Sequence, residues 1–256
     1  MKKINLAFVL ALALVLSAVG IASAITNGQP DGDTHPYVGL VTDDIWVCSG
    51  AAISPTVFVT AAHCFEVPEQ TVYVTFDPDG FYSATPVWHK GTWYPHEDFC
   101  LGCGGGLPGF DSHDVAVVVF DEPVTLPRYA NLPTEGLVDT LAMKTGVDLV
   151  GYGVQWDQGG GPRWPQDGVF TRYYAPAQLV ASNYVHSDEY IKLTANPSQG
   201  KGGICFGDSG GPDLWGGTDT ILAVNSYVTS NNCAGVTYSN RIDIAYALEF
   251  IGSFLP

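Results

Sequence analysis

A serine flanked by glycines is the first feature of the chain that could do chemistry. The segment Gly207–Pro212 reads GDSGGP and places Ser209 in a tight turn, where neighbouring glycines let the backbone bend sharply and a substrate approach closely. A free serine hydroxyl is a weak nucleophile and needs a base. The same residue types also make ordinary surface turns, so the motif predicts a nucleophile only together with a base.

A histidine that could serve as this base stands earlier in the chain. Thr60–Cys64 reads TAAHC and follows the strand-like Val57-Phe58-Val59. An imidazole titrates near neutral pH and can take a proton from a serine, so His63 is the candidate base. A lone histidine is more often structural, but here Cys64 could fix the loop that carries it.

An aspartate at the start of an apolar run completes the set. Asp114 directly precedes Val115–Phe120, and a carboxylate at the mouth of a buried strand needs a partner because a buried charge is costly. Holding an imidazole in one tautomer would supply that partner. Asp111 competes for the role, but Asp114 is favoured because it adjoins the apolar strand.

Short strands are the elements that must position these three residues. Runs rich in Val, Ile, Thr, Tyr and Phe recur between Gly, Pro, Asn and Asp, a pattern typical of an all-β sandwich or barrel. The proline-rich stretch near 121–137 predicts a connection between two β halves. The predicted strands include Tyr37–Val41, Val57–Thr60, Thr71–Phe76, Val115–Phe120, Asp148–Tyr152 and Ile221–Tyr227.

The end of the chain has a different period. Apolar residues fall at helical spacing after Asp243, and they predict a short terminal helix that Asp243 or Asn240 would cap. These apolar residues are Ile244, Ala247, Leu248, Ile251 and Leu255.

The amino terminus predicts export. A charged start at Lys2 and Lys3, an apolar run from Leu6 to about Val19 and the small residues at 22–24 are the parts of a secretory signal peptide. We therefore predict a signal peptide over residues 1–24 and a secreted, extracellular mature chain. Two alternatives are an uncleaved membrane anchor, since the run could just reach across a bilayer, and cleavage after residue 22 with later trimming.

Charge narrows the class of partner. The formal net charge is −16, and such a surface repels nucleic acid and anionic membranes. We expect no nucleic-acid partner, and no membrane partner after signal cleavage. Six cysteines in an exported chain suggest disulfides.

The two motifs and Asp114, in the order His63, Asp114, Ser209, resemble the chymotrypsin/trypsin-like serine proteases. The resemblance covers the chain from residue 25 to the terminal helix. It implies an all-β fold of two antiparallel six-stranded β-barrels, with the active site in the cleft between them and a short C-terminal helix. The implied bounds are about 25–120 for the first barrel, 121–137 for the connection, 138–242 for the second barrel and 243–254 for the helix.

The resemblance also implies roles for residues around the triad. The chain would be a monomeric serine endopeptidase acting on proteins or peptides, with the backbone N–H groups of Gly207 and Ser209 as its oxyanion hole. A freed amino terminus at Ile25 would pair with the carboxylate of Asp208. Thr26 and the residue after it depart from the usual family start. Because the predicted signal cleavage lies directly before Ile25, export itself would create the active amino terminus.

The predicted specificity pocket contains Gly203, Ser226, Tyr227 and Val228. Gly203 stands where trypsin-type relatives carry an aspartate, so a buried Arg or Lys at P1 (the substrate residue before the cleaved bond) would lack a partner. Val228 replaces a glycine that opens the pocket in many relatives. We therefore expect cleavage after small or medium apolar residues, elastase-like before chymotrypsin-like.

The cysteines and acidic turns leave metal alternatives open. The resemblance pairs Cys48 with Cys64 and Cys205 with Cys233, and Cys100 and Cys103 then remain for a local disulfide. The alternative is zinc held by those two cysteines with His96 and His113, whose spacing is irregular for such a site. Asp77-Pro78-Asp79-Gly80 is either a calcium site or an ordinary turn. We predict no metal and no cofactor, with calcium as the alternative.

Two other functions fit parts of the sequence. A catalytically inactive protease-like binding protein would share the fold, although such proteins usually lose a triad residue and none is lost here. A secreted esterase would share the acyl chemistry, but no strand–turn–helix context surrounds Ser209.

Overall fold

The structure is a computed structural model that describes residues 25–104, 110–154, 156–157, 161–162, 170–181, 188–196, 199–229, 233 and 235–256. The predicted signal peptide, residues 1–24, lies outside this range. Strands make up most of the regular secondary structure in the described residues. The strands are β1 Gln29–Pro30, β2 Val38–Thr42, β3 Val47–Ala52, β4 Val57–Thr60, β5 Thr71–Thr75, β6 His89–Pro95, β7 Cys100–Gly104, β8 Phe110–Ser112, β9 Ala116–Phe120, β10 Gly146–Gly151, β11 Trp156–Asp157, β12 Gly161–Pro162, β13 Tyr173–Ala181, β14 Tyr190–Ala195, β15 Pro212–Trp215, β16 Ile221–Val228 and β17 Gly235–Arg241.

The first barrel closes in the order β2-β3-β4-β9-β6-β5, with antiparallel neighbours. Strand β4 is buried along its whole length, and the β-branched and aromatic residues that fill it suit a barrel interior. Gly50 lets the Phe58 ring into this interior, because a Cβ at residue 50 would lie 2.3 Å from the ring. The apolar runs predicted between residues 37 and 120 are thus walls of one closed sheet.

The second barrel closes in the order β13-β10-β15-β16-β17-β14, with β14 pairing back to β13. Strand β1 adds to the edge of β13, and the Ile25 side chain is buried in the core of this barrel. The segment 25–30 therefore packs on the second barrel although it precedes the first in sequence. The prediction of two six-stranded antiparallel barrels is confirmed.

A buried ion pair joins the barrels at the start of the chain. The Arg172 guanidinium donates from Nε to the Asp31 carboxylate over 2.8 Å, and both side chains are almost fully buried. Its Nη1 donates to the carbonyl oxygens of Val38 and Phe76, on the first barrel. One side chain thus ties β13, the amino-terminal segment and the first barrel together.

The C-terminal helix α1 spans Ala245–Gly252, inside the predicted range of 243–254. Ile244 precedes it, and no side chain caps its start, so the predicted cap by Asp243 or Asn240 is wrong. The Asp243 carboxylate instead accepts hydrogen bonds from Arg241 and from the Val138 N–H. Within the described ranges, no helix is both long enough and apolar enough to span a membrane.

Candidate active site

His63 and Asp114 meet because their strands are paired. His63 lies in a short 3₁₀ turn, Ala62–Cys64, just after β4, and Asp114 lies just before β9. Since β4 and β9 are antiparallel neighbours, with Thr60 opposite Ala116, the end of one strand faces the start of the other. The His63 backbone N–H donates to Asp114 Oδ1 over 2.9 Å, and His63 Nδ1 lies 2.8 Å from Asp114 Oδ2. The carboxylate therefore fixes both the backbone and the ring of His63.

The surroundings of this pair favour a charged carboxylate. Burial alone would raise the pKa of Asp114, but the charge and hydrogen bonds of His63 and a hydrogen bond from the Ser226 hydroxyl hold it below its ordinary value. Burial alone would lower the pKa of His63, but the Asp114 carboxylate raises it above its ordinary value. Each partner thus stabilises the charged form of the other.

Asp111, the competing candidate, takes a different position. Its Oδ1 accepts a hydrogen bond from the Gly102 N–H over 2.7 Å, and burial raises the pKa of this carboxyl. Its negative charge also contributes to the raised pKa of His63. Asp111 therefore acts on the imidazole from a distance, whereas Asp114 contacts it.

Close backbone packing brings the Ser209 loop to the histidine. Gly210 has a φ of +76°, and a Cβ there would lie 2.1 Å from Thr60 Oγ1 and 2.6 Å from the carbonyl oxygen of Ser49. Only a glycine can combine this backbone conformation with this approach. The loop from the second barrel therefore lies directly against β3 and β4 of the first.

One cavity of about 320 Å³ contains both the imidazole and the serine. The Ser209 hydroxyl and the His63 ring are not within hydrogen-bond distance in this structure; such bonds often tighten only when substrate binds. The cavity's lining residues are Trp46, Val47, Cys48, His63, Cys64, Glu66, Phe206, Gly207 and Ser209.

Gly207 and Ser209, predicted to form the oxyanion hole, both line that cavity. Within the part of the chain that the structure describes, no group accepts a hydrogen bond from either backbone N–H. Gly207 has a φ of +95°, and a Cβ at this position would lie 3.0 Å from the Cα of Gly153. The loop can therefore take this shape only without a side chain at residue 207.

None of the four predicted pocket residues lines this cavity. Gly203 packs tightly, because a Cβ there would lie 2.3 Å from the Cβ of Ala195. The Ser226 hydroxyl donates a hydrogen bond to the Asp114 carboxylate, and the Tyr227 ring stacks on Tyr238 with centroids 4.9 Å apart. Val228 is partly buried and packs against the Cys205–Cys233 disulfide. The four residues thus lie on the second barrel, beside the loop that carries Ser209.

Asp208 is buried and has no cation beside it among the described residues. Its carboxylate accepts hydrogen bonds from the N–H groups of Gly153 and Cys205, each over 2.8 Å. Burial raises the pKa of Asp208 to about 7, although the two N–H groups lower it. In the 256-residue chain the Ile25 nitrogen belongs to a peptide bond, so its ion pair with Asp208 stays a prediction.

All three predicted disulfides are present: Cys48–Cys64, Cys100–Cys103 and Cys205–Cys233. The first ties the turn of His63 to β3. The second removes both sulfurs from the alternative zinc set with His96 and His113.

Two clusters that contain carboxylates could offer ligand atoms to a metal, but some of these atoms are already hydrogen-bonded within the protein. The atoms of His63, Asp111 and Asp114 lie within 4.8 Å of one another, but the facing atoms of His63 and Asp114 are already hydrogen-bonded together. In the predicted calcium turn, Asp77 accepts hydrogen bonds from the Val87 N–H and the Thr75 hydroxyl. Calcium at this turn stays the alternative prediction.

The sequence did not predict the role of two residues beside the site. The Ser49 hydroxyl donates to the carbonyl oxygen of Gly207 over 2.9 Å, and the Asn225 Nδ2 donates to the carbonyl oxygen of Asp208 over 3.1 Å. Ser49 follows Cys48, a residue of a predicted disulfide, and Asn225 precedes Ser226, a residue of the predicted pocket. Their own residue types gave no sign that they contact the loop that carries Ser209.

Comparison with known proteins agrees with this geometry. The model of the Trypsin family matches residues 25–251. Brachyurin from Leptuca pugilator is 28% identical over 237 residues, covering 91% of this chain and 96% of its own. The cercarial protease of Schistosoma mansoni is 24% identical over 256 residues, covering 90% and 89%.

The fold has a counterpart among solved structures. A mutant of human heparin binding protein superposes with a TM-score of 0.65 at 17% identity, covering 90% of this chain and 96% of that one. At this identity the likeness shows the fold alone. The family match extends over nearly all of the described chain and the related sequences are proteases, so this chain belongs to the trypsin family and is a serine endopeptidase.

Proposed function

We propose that this endopeptidase is secreted and cleaves proteins through an acyl-enzyme, with Ser209 as nucleophile, His63 as general base and Asp114 as the residue that orients His63. The observation that carries the proposal is that buried Asp114 holds His63 by two hydrogen bonds, and that the His63 imidazole lines the same cavity as Ser209.

The chemical roles follow from this arrangement. Ser209 Oγ attacks the scissile carbonyl while His63 Nε2 accepts its proton, because Nδ1 is held by Asp114. The imidazolium then donates the proton to the leaving amine, and water repeats the sequence on the acyl-enzyme. The N–H groups of Gly207 and Ser209, for which the described residues offer no acceptor, would donate to the oxyanion.

Activation would use the buried carboxylate of Asp208. A freed ammonium at Ile25 would pair with this carboxylate and stabilise the conformation of the loop that carries Gly207 and Ser209. Support comes from the Ile25 side chain, which is already buried in the second barrel, and from the bridge that joins Thr26 to Gly203. Sequencing the amino terminus of the secreted protein tests this, and a mature start other than Ile25 contradicts it.

The P1 preference would be for small or medium apolar residues. Gly203 offers no carboxylate to a basic side chain, and the branched side chain of Val228 would narrow the pocket. Comparing peptides with Ala, Val, Leu, Phe and Arg at P1 tests the preference, and a dominant turnover of the Arg peptide contradicts it.

The remaining expectations concern partners and conditions. The net charge of −16 supports a secreted monomer with protein or peptide substrates and without a nucleic-acid partner. We expect activity without any metal, so a chelator should leave turnover unchanged. If Asp77–Gly80 binds calcium, the chelator should instead lower the stability of the protein.

The deciding experiment is labelling with a serine-directed fluorophosphonate. We expect wild-type protein to be labelled and Ser209→Ala to be unlabelled and inactive while its unfolding temperature is retained. Labelling without turnover of any peptide amide would favour the esterase, and absence of labelling in correctly processed protein would favour the inactive binding protein.

A further inference from the structure

A second cavity, of about 510 Å³, is lined by residues from the segments 94–98 and 246–254. The first segment begins at the end of β6, and the second includes most of the helix α1. This cavity, which we call the helix pocket, shares no lining residue with the cavity of His63 and Ser209. Its volume lies within the range of small-ligand pockets, about 300–1,000 Å³. The helix pocket is therefore a separate place where a ligand could bind.

Aromatic rings form much of the wall of the helix pocket. Tyr246 and Phe250 are four residues apart on α1 and so lie on one face of the helix. The centroid of the Phe250 ring lies 5.3 Å from that of Phe254 and 4.9 Å from that of His96. The Phe254 centroid lies 5.3 Å from that of Tyr94. Such rings attract a cation, because the face of an aromatic ring carries partial negative charge.

The polar part of the helix pocket is acidic. Glu97, Asp98 and Glu249 line it and are exposed, and none of the three forms an ion pair within the described ranges. No lysine or arginine stands among the described residues that line the pocket. A pocket lined by charges of one sign concentrates ions of the opposite sign. The carboxylates and the rings thus favour the same ligand, which is a cation.

His96 adds a hydrogen-bond donor that lacks a partner. This residue is only 8% exposed and lines the pocket. Its Nδ1 accepts a hydrogen bond from the Asp98 N–H over 3.1 Å, so the neutral ring carries its hydrogen on Nε2. Among the described residues, no acceptor binds this Nε2–H. A ligand that brings an acceptor beside its cation would satisfy it.

The His96 ring does not oppose a cation near neutral pH. Burial and the neighbouring His113 hold the pKa of His96 below its ordinary value, although the carboxylates of Asp98, Glu97 and Glu189 raise it. The ring is therefore neutral at pH 7 and adds no positive charge to the pocket.

We propose that the helix pocket binds an arginine side chain of a protein substrate, together with a carbonyl oxygen of the adjacent substrate backbone. A guanidinium is planar, so it can stack on an aromatic face while its N–H groups donate to carboxylates. The substrate carbonyl would accept the hydrogen bond of His96 Nε2–H.

The helix pocket lies beside the segment that carries Asp114. The ring of His113, the residue before Asp114, has its centroid 4.8 Å from that of His96 and 4.1 Å from that of Tyr246. One extended polypeptide can therefore contact both the pocket and the active site. Binding of arginine does not depend on the proposed function, whereas the role of that arginine as part of a substrate rests on it.

The first test measures binding to the inactive variant Ser209→Ala by titration calorimetry. The probe is an acetylated pentapeptide amide with arginine at its centre and alanine elsewhere, and its matched control carries citrulline, an uncharged analogue of arginine. We expect the arginine peptide to bind about tenfold more tightly than the citrulline peptide. Equal affinities would overturn the proposal. Methylguanidinium should bind more weakly than the arginine peptide, and equal binding would overturn the role of the substrate carbonyl.

Variants of the pocket locate the bound peptide. Glu97→Gln and Glu249→Gln each remove one exposed carboxylate and should weaken binding of the arginine peptide about threefold. Phe254→Leu keeps an apolar side chain but removes an aromatic face, and it should weaken binding by about the same factor. Glu122→Gln is the matched control, because it removes an exposed carboxylate outside the pocket. A loss as large in Glu122→Gln as in the pocket variants would show that only net charge matters, and would overturn the proposal.

The second test measures turnover by correctly processed wild type. The substrates carry arginine or citrulline at increasing distances from the cleaved bond. At the spacing that reaches the pocket, arginine should lower KM about tenfold with kcat unchanged, since it adds only binding. The double variant Glu97→Gln and Glu249→Gln should lose most of this advantage, and salt at about 0.5 M should also reduce it.

The two tests separate this inference from the proposed function. Arginine-dependent binding to Ser209→Ala without any turnover by wild type would contradict the proposed function and leave the arginine site intact. Normal turnover with no effect of arginine at any spacing would overturn the inference and leave the proposed function intact.

Discussion

The backbone N–H of Ser49 donates a hydrogen bond to the carbonyl oxygen of Ser209 over 2.8 Å, which joins a strand of the first barrel to the proposed nucleophile on the second. The Ser49 hydroxyl adds two more contacts. It donates to the Gly207 carbonyl and accepts from the Tyr152 N–H, each over 2.9 Å. Ser49 therefore fixes the loop on both sides of Asp208.

Replacing Ser49 with alanine should reduce turnover more than binding. The backbone hydrogen bond to Ser209 remains, but the partly buried Gly207 carbonyl and the buried Tyr152 N–H lose their partner, which costs about 1–3 kcal/mol of unfolding free energy. We expect kcat to fall about tenfold with KM nearly unchanged, because the loss acts on the oxyanion loop. Steady-state kinetics and denaturant unfolding measure the two effects.

Ser54→Ala is the matched control for this variant. The Ser54 hydroxyl also accepts hydrogen bonds from two backbone N–H groups of the first barrel, those of Thr56 and Val57, but it lies in the turn between β3 and β4. It should lower stability without changing kcat. Equal kcat values for the two variants would show that Ser49 has no effect on the loop.

The sequence could predict what depends on short motifs and strand patterns. His63, Asp114 and Ser209 stand in motifs of fixed order, and the runs rich in Val, Ile, Thr, Tyr and Phe predicted the strands that bring the first two together. The terminal helix was also visible from its apolar spacing, but its cap was not, because Arg241 and the Val138 N–H claim the Asp243 carboxylate from distant parts of the chain.

Contacts between the barrels and within the second barrel could not be predicted in the same way. Ser49 and Asn225 act through backbone groups of the loop, so their residue types carry little signal. Such roles arise from the closed sheet and are visible only once the register is known.

The acidic limb of the activity profile should follow His63. The base must be neutral to accept a proton, so kcat/KM rises as pH increases through the His63 pKa, which Asp114 holds above its ordinary value against the effect of burial. Asp114→Asn should lower kcat about 10⁴-fold and move the midpoint to lower pH. Asp111→Asn should move the midpoint slightly in the same direction with most activity retained, since Asp111 acts only through its charge. A midpoint that rises in either variant would contradict this electrostatic account.

Gly210 should tolerate no side chain, because a Cβ would clash with the first barrel. A control variant separates this clash from backbone strain. In Gly210→Ala the new Cβ meets Thr60 and the Ser49 carbonyl, and the positive φ adds strain. We expect unfolding free energy to fall by about 2–4 kcal/mol and kcat to drop more than about tenfold as the loop moves from His63. Gly217→Ala has a similar φ of +74° but open space around its Cβ, so it should show the strain of about 1–2 kcal/mol alone. Equal losses in both variants would mean that the contact with the first barrel is unimportant.

Protonation of the buried pair of Arg172 and Asp31 should account for much of the stability that the protein loses in acid. Removing one partner in Asp31→Asn leaves the guanidinium buried without its counter-ion, which costs about 3–5 kcal/mol. Burial alone would raise the pKa of Asp31, but His35 and Arg172 hold it below the ordinary value of 3.8. Its contribution is therefore complete above the ordinary value and is lost as pH falls through the lower folded pKa.

Unfolding of wild type and Asp31→Asn between about pH 2 and about pH 7 measures this contribution. The difference between the two proteins should be largest near neutrality and shrink in acid, because protonation of Asp31 imitates the substitution. Asp121→Asn removes the exposed pair with Lys90 and should leave stability nearly unchanged at any pH, because solvent screens such a pair. A difference between wild type and Asp31→Asn that stays constant down to the lowest pH would show that packing, and not charge, joins the amino-terminal segment to the barrels.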